Sequence, residues 1–212
     1  LRRLLRRMRD HGTLCSTNRS SAEVSRIPPR PWPTSRMAGT GTGGPEGPKD
    51  RALIDAVTRA VVKTIPVAAG PSHPTVDASR NKVYVNNVTA KSITVIDSLT
   101  DAVIKTLPSG AGSDDNFGYA NYVYGRYYLA NSEDDTLTIV DTDTDTVAKT
   151  VPVGDKPIQV LVDSNGGNVY VVNQASKNVS VLDAATEAFL VNYGVGTGPW
   201  RIIIDDNHVY VL

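Results

Sequence analysis

Cysteine occurs once in the 212 residues, as Cys15. One thiol excludes a disulfide framework and a thiolate metal cage, and leaves the redox compartment open. Histidine is also scarce, with only His11, His73 and His208. No HExxH, GxSxG or phosphate-loop pattern is present. GTGTGG (39–44) has the glycines of a phosphate cradle, but it follows no strand and opens no helix, so it reads as linker. No apolar run reaches the roughly 18–20 residues that cross a bilayer, and no uninterrupted hydrophobic region marks a secretory signal. No catalytic residue, cofactor or metal site is expected on these grounds.

The chain has no net charge, but its two parts do. Residues 1–50 carry ten Lys+Arg against four Asp+Glu, and residues 51–212 carry twelve against eighteen. A basic tail, 1–50, is thus joined to a mildly acidic domain, 51–212. That acidic balance opposes a polyphosphate, so nucleic acid is not an expected partner. In the tail, LRRLLRRMR sets Leu1, Leu4, Leu5 and Met8 at helical spacing among arginines. Such a segment suits an anionic membrane surface or a targeting presequence. A second reading takes 1–36 as non-native translated sequence, because the chain opens on leucine and Met37 begins MAGTGTGGPEG. The Ser-, Pro- and Gly-rich remainder cannot build a core, and predicts a disordered tail.

From about residue 52 the chain repeats. KVYVNN (82–87), RYYLAN (126–131), NVYVVN (168–173) and HVYVL (208–212) place tyrosines at 84, 128, 170 and 210. ALID, SITVID, TLTIVD and NVSVLD end in Asp55, Asp97, Asp141 and Asp183, and KTIP, KTLP and KTVP begin at Lys63, Lys105 and Lys149. Three landmarks share one period of about 42. A unit of that length with several short Val-, Ile-, Thr- and Tyr-rich strands predicts an all-β propeller of four-stranded antiparallel blades. In the third unit strands a to d fall at 158–163, 168–173, 178–183 and 188–195. The count gives a leading strand d, three full blades, and strands a and b of a fourth: a partial ring.

The stretch DTDTDT (141–146) has the alternating carboxylates of a calcium loop. The repeat offers another reading. Asp55, Asp97, Asp141 and Asp183 are each followed three residues later by Thr58, Thr100, Thr144 and Thr186. D-x-x-T is a turn device, in which the carboxylate accepts backbone N–H bonds ahead of it. The glycine and distal glutamate of a calcium-binding loop are missing.

These repeats resemble the YVTN family of β-propellers of surface-layer and exported YncE-like proteins, WD40-like in architecture. The residues that carry the resemblance are Tyr84-Val85-Asn86-Asn87, Tyr128-Leu129-Ala130-Asn131 and Tyr170-Val171-Val172-Asn173, followed by the V-I-D strand, the D-x-x-T turn and K-T-[IVL]-P. The resemblance covers about residues 52–212. It implies a periplasmic, secreted or cell-surface setting and a complete ring of seven blades. The chain then reads as a fragment, or else as an arc that closes by self-association through its open edges.

The loops joining d to a and b to c are expected on one face. The second residue after each d–a loop is His73, Asp115, Gln159 and Arg201. One scaffold position thus carries four different polar residues, which suits a binding funnel on a constant frame, or plain solvated loop ends. Asp114, beside Asp115, and Trp200, beside Pro199, complete the candidate ligand-binding set. Blade two carries about two extra residues in DDNFGYANYVYG (114–125), with Phe117 and Tyr119 facing a pocket or filling a wedge, and Tyr122 and Tyr124 assigned to packing. Glu133-Asp134-Asp135 is an acidic run on the same face, most simply a solvated loop. The expected function is a non-catalytic binding module for a protein, glycan or small ligand. Two alternatives stay open: a piece of a lactonase-like or quinoprotein-like propeller enzyme, or a structural surface-layer repeat.

Overall fold

The computed structural model describes residues 50–112, 119–121, 124–163, 167–205 and 208–212. The tail and its alternative readings lie outside them. Among the described residues there are sixteen strands and no helix, hence no helix long and apolar enough to cross a membrane.

Three antiparallel four-stranded sheets follow the repeat. The first holds β3 (Pro71–Asp77), β4 (Lys82–Asn87), β5 (Ser92–Asp97) and β6 (Ala102–Pro108). The second holds β7 (Tyr119–Asn121), β8 (Arg126–Asn131), β9 (Thr136–Asp141) and β10 (Thr146–Pro152). The third holds β11 (Pro157–Val162), β12 (Asn168–Asn173), β13 (Asn178–Asp183) and β14 (Phe189–Gly194). A hairpin of β15 (Ile202–Ile204) and β16 (Val209–Val211) follows. The leading element differs from the expected lone strand d. β1 (Asp50–Ile54) pairs antiparallel with β2 (Val61–Pro66), so a c–d pair leads. The reason lies in the turn at Asp55, which needs a strand on each side to close a hairpin.

Each strand d carries the same irregularity. The register of c against d shifts once, after the second pair beyond the Asp turn or next to it, in all four c–d pairs. One d residue is left over, at Val62, Ile104, Ala148 and Leu190. A bulge of this kind bends and twists the outer strand.

The b and c strands are apolar at adjacent positions because both faces of each sheet are covered. Successive strand residues point to opposite faces. Tyr127 therefore packs with Tyr84, Ile93, Val95 and Leu107 of the first sheet. Its neighbour Tyr128 packs with Val160, Val162, Val169 and Val171 of the third. Tyr84 and Tyr127 stack with ring centroids 4.6 Å apart and planes 11° from parallel. Tyr84, Tyr127 and Tyr128 are each at most 1% exposed, and full burial of a large apolar side chain contributes about 1.5–3 kcal/mol.

Candidate functional site

Two of the loop types meet on one end of the sheets. The b–c loop after β4 donates from Val88 and Ala90 N–H to the carbonyls of Gly70 and Ala69 in the preceding d–a loop, at 2.7 and 3.0 Å. Its Lys91 carbonyl accepts from Ser109 N–H of the next d–a loop. The pattern returns two blades on, where Gln174 and Ala175 N–H meet the Lys156 and Asp155 carbonyls, and Val195 N–H meets the Lys177 carbonyl. The loop face is thus a braced frame.

Two acids of the run at 133–135 belong to that bracing. Asp134 Oδ2 accepts from Ala111 N–H at 2.6 Å, and Asp135 Oδ1 from Lys156 N–H at 2.8 Å. Glu133 is exposed. The loop is solvated, but Asp134 and Asp135 each anchor a d–a loop as well.

The inner strands are neighbours in order, β3 beside β7, β7 beside β11, and β11 beside β15. This arrangement brings the repeat position of His73, Gln159 and Arg201 to the same end of the inner strands of the first blade, the third blade and the final hairpin. His73 is half-buried, with Nδ1 3.0 Å from Ser72 Oγ. Gln159 Oε1 accepts from Ile202 N–H at 2.8 Å and ties β11 to β15. Arg201 is exposed, and its backbone exchanges bonds with Leu212. Asp114, Asp115, Phe117 and Tyr122 lie outside the described residues, as does the side chain of Tyr119. Tyr124 is 37% exposed rather than packed inside a wedge, because it sits in the turn leading into β8.

Trp200 is 58% exposed. Its repeat equivalent, Ile158, is 6% exposed and packs against Ile202 of the next inner strand. Trp200 therefore stands on a blade flank, at a position the following blade covers elsewhere in the repeat.

The opposite face holds the c–d turns and, beside them, ion pairs between blades that the sequence did not single out. There the D-x-x-T turns form as expected. Asp97 Oδ1 accepts from Leu99 and Thr100 N–H at 2.8 and 2.9 Å, and Asp55, Asp141 and Asp183 repeat the geometry. The Thr100 N–H bond holds the Asp97 carboxyl below the usual carboxylate range, and Thr186 and Thr58 do the same for Asp183 and Asp55. The residue after each threonine, Arg59, Asp101, Asp145 or Glu187, has a φ of 51–59°.

That strained residue reaches across to the previous blade. Lys82 Nζ lies 2.8 Å from Asp145 Oδ2. Arg126 Nε lies 2.6 Å from Glu187 Oε1, and Arg126 Nη1 lies 2.7 Å from Asp141 of its own blade. Arg80 Nε lies 2.5 Å from Asp143 Oδ1. The Arg80 hydrogen bond holds the Asp143 carboxyl below its ordinary range. Thus the three aspartates of DTDTDT have separate employments: Asp141 builds the turn, while Asp143 and Asp145 face cations of the preceding blade.

No family model and no curated protein matches the chain. Solved structures do. The WD40 β-propeller domain of Doa1 aligns with a TM-score of 0.58 at 18% identity, over 77% of this chain and 54% of that one. The fold is a β-propeller. Dihydro-heme d1 dehydrogenase NirN in complex with DHE aligns at 0.60 and 15% identity, over 72% and 34% of the two chains. The hydrazine synthase of Kuenenia stuttgartiensis aligns at 0.57 and 21%, over 63% and 38%. This propeller chain thus spans about a third to a half of the length of the structures it matches. Identities this low carry the fold and not the chemistry.

Proposed function

We propose that this propeller segment is a non-catalytic binding module of YVTN type, working outside the cytoplasm. It presents its d–a and b–c loops to a protein, glycan or small ligand. The observation that carries the reading is the braced loop frame. Backbone bonds from Val88 and Ala90 to Gly70 and Ala69, and from Gln174 and Ala175 to Lys156 and Asp155, hold equivalent loops alike. Different side chains, His73, Gln159 and Arg201, then occupy one scaffold position. A rigid frame with changing polar residues lowers the ordering cost of binding and sets specificity by side-chain choice.

The test is a screen of the full chain on glycan and peptide arrays, repeated with a His73→Ala/Glu133→Ala variant. Binding that is lost in the variant at unchanged melting temperature supports the reading. Array binding that ignores both substitutions, or no array binding at all, counts against it.

A further inference from the structure

The asparagines that end the b strands of the three full blades each leave one buried atom without a partner. Asn87, Asn131 and Asn173 are 0%, 1% and 0% exposed. Each Nδ2 donates twice into strand c, that of Asn173 to Asn178 Oδ1 and Ser180 Oγ at 2.7 and 2.8 Å. Each Oδ1 is buried, and no donor among the described residues reaches it. Turning the amide round is no cure, because Nδ2 would then face the same place without an acceptor. Other unpartnered atoms do not recur. Thr142 Oγ1 is one, but Ser98 and Ala184 hold its place in the neighbouring blades. Tyr128 OH is another, yet Tyr84 OH donates to Asp145 Oδ1 at 3.5 Å. Among the described residues, the asparagine oxygen alone recurs in all three blades. We propose that each of these oxygens binds one ordered water molecule, shared with the bulged backbone of strand a.

The strand opposite supplies the rest of the site. Pro71 faces Asn87, and Pro157 faces Asn173. Proline has no N–H, so the facing residue offers the asparagine no backbone donor. The register slips beside each of these pairs. Residues 71–74 of strand a span residues 85–87 of strand b, and residues 157–159 span residues 172–173. Strand a thus carries one residue more than strand b. An extra residue interrupts the ladder and leaves backbone polar groups without a cross-strand partner. In the third blade it is Ile158, which has no partner on β12 and is 6% exposed. Backbone groups buried this far need a partner from elsewhere. The residues of blade two that correspond to Pro71 and Pro157 lie outside the described ones.

The loop above closes the site. A Cβ at Gly110 would stand 2.6 Å from Asn131 Cγ, and one at Gly154 would stand 2.6 Å from Asn173 Nδ2. The d–a loop lies directly on the amide and shuts it off from bulk solvent. Water is the occupant that fits. A buried water joins about three polar groups, and an amide oxygen beside an interrupted ladder provides them. A calcium ion would take about six to eight oxygens, and among the described residues no three His, Cys, Asp or Glu gather as metal ligands. The water links strands a and b where their ladder is broken, immediately beneath the loop frame. The inference does not rest on what the loops bind.

The experiment is a crystal structure of the full chain at a resolution that shows ordered solvent. One solvent peak at about 2.7–3.2 Å from each of the three Oδ1 atoms is the expected result. A protein hydroxyl or N–H bonded directly to Oδ1 overturns the proposal, and so does a peak missing from any of the three blades. A peak at about 2.3–2.6 Å from several oxygens overturns it as well, since that is the coordination of a cation. In solution, magnetic relaxation dispersion of the water signal counts buried waters that exchange slowly. Asn173→Leu keeps roughly the volume of the side chain and removes the acceptor. That variant, folded by circular dichroism, should hold one such water fewer than the parent. A folded variant with the parent's count refutes the site. If Asn173→Leu does not fold, the crystal structure of the parent decides alone.

Discussion

Lys82 and Asp145 form an ion pair across a blade boundary, 63 positions apart in the chain, with Lys82 Nζ 2.8 Å from each carboxylate oxygen. The same ammonium donates to the Thr142 carbonyl at 2.6 Å. Both side chains are largely covered, 15% and 11% exposed, so the pair is shielded from the screening that weakens surface bridges. Lys82→Met keeps the apolar stem and strands the partly buried carboxylate. It should cost about 1–3 kcal/mol, read as a lower urea midpoint at unchanged slope. If the coupling is real, Lys82→Met/Asp145→Asn will lose less than the sum of the single changes.

The asparagine that ends each strand b is a second repeated fastener. Asn131 Nδ2 donates to Thr136 and Thr138 hydroxyls at 3.0 and 2.8 Å, and Asn87 and Asn173 make the matching pair of bonds. All three are 0–1% exposed. Asn131→Asp replaces the amide donor with a second acceptor and buries a charge. The expected loss is about 2–4 kcal/mol. Asn131→Ser, which keeps a donor, should lose less. Equal losses in thermal unfolding would show that volume, not donation, sets the cost.

Much of this fold was legible because its physical unit is also its sequence unit. Strands b and c fall where the tyrosine and aspartate landmarks put them, since a buried Tyr84 or Tyr128 and a turn-capping Asp97 or Asp141 are each required once per blade. The d strands also fall where expected, but their bulge was not legible, because Val62, Ile104, Ala148 and Leu190 are exposed and the bulge demands no residue type. The leading strand β1 was missed although ALID aligns with the c strands. Arg51 breaks its apolar run, occupying the position of Ile93 and Leu137, and donates instead to the Pro71 and Ser72 carbonyls. The cross-blade pairs were missed for a different reason. Lys82 and Asp145 lie one and a half periods apart, a distance that means nothing until neighbouring blades are set side by side. The signal was nonetheless present: a cation opening strand b, and an acid directly after D-x-x-T.

Acid should loosen the c–d hairpins before the blades. Backbone N–H bonds from Thr100, Thr186 and Thr58 hold Asp97, Asp183 and Asp55 below their ordinary range. A carboxyl depressed in the folded state contributes stability that is present above its unfolded value of about 3.9. That contribution is lost as pH falls through the lower folded value. The melting temperature should be flat from about pH 7 to 5 and fall below about pH 4. Asp183→Asn should flatten part of the fall. A melting temperature that stays level down to pH 2 would remove the turn carboxylates from the stability of the fold.

Gly70 gives the sharpest local test, because backbone and space both restrict it. Its φ is +68°, and a Cβ there would stand 2.2 Å from Thr89 Oγ1 and 2.6 Å from Thr89 N. The nearest clash is a side-chain atom that can turn away, but the second is backbone. That backbone belongs to the b–c loop braced by the Val88 N–H bond to the Gly70 carbonyl. Gly70→Ala must therefore either strain the left-handed conformation, at about 1 kcal/mol or more, or push the two loops apart. Gly196 is the control: it lies in the equivalent d–a loop, has no left-handed φ and meets nothing within 4 Å. Gly196→Ala should be neutral or slightly stabilising, since alanine restricts the unfolded chain. Hydrogen exchange at Val88 and Ala90 distinguishes the two routes for Gly70→Ala. Faster exchange there means the loops have parted. Unchanged exchange with lower global stability means that the strain is held in the backbone of residue 70 while the loop frame stays closed.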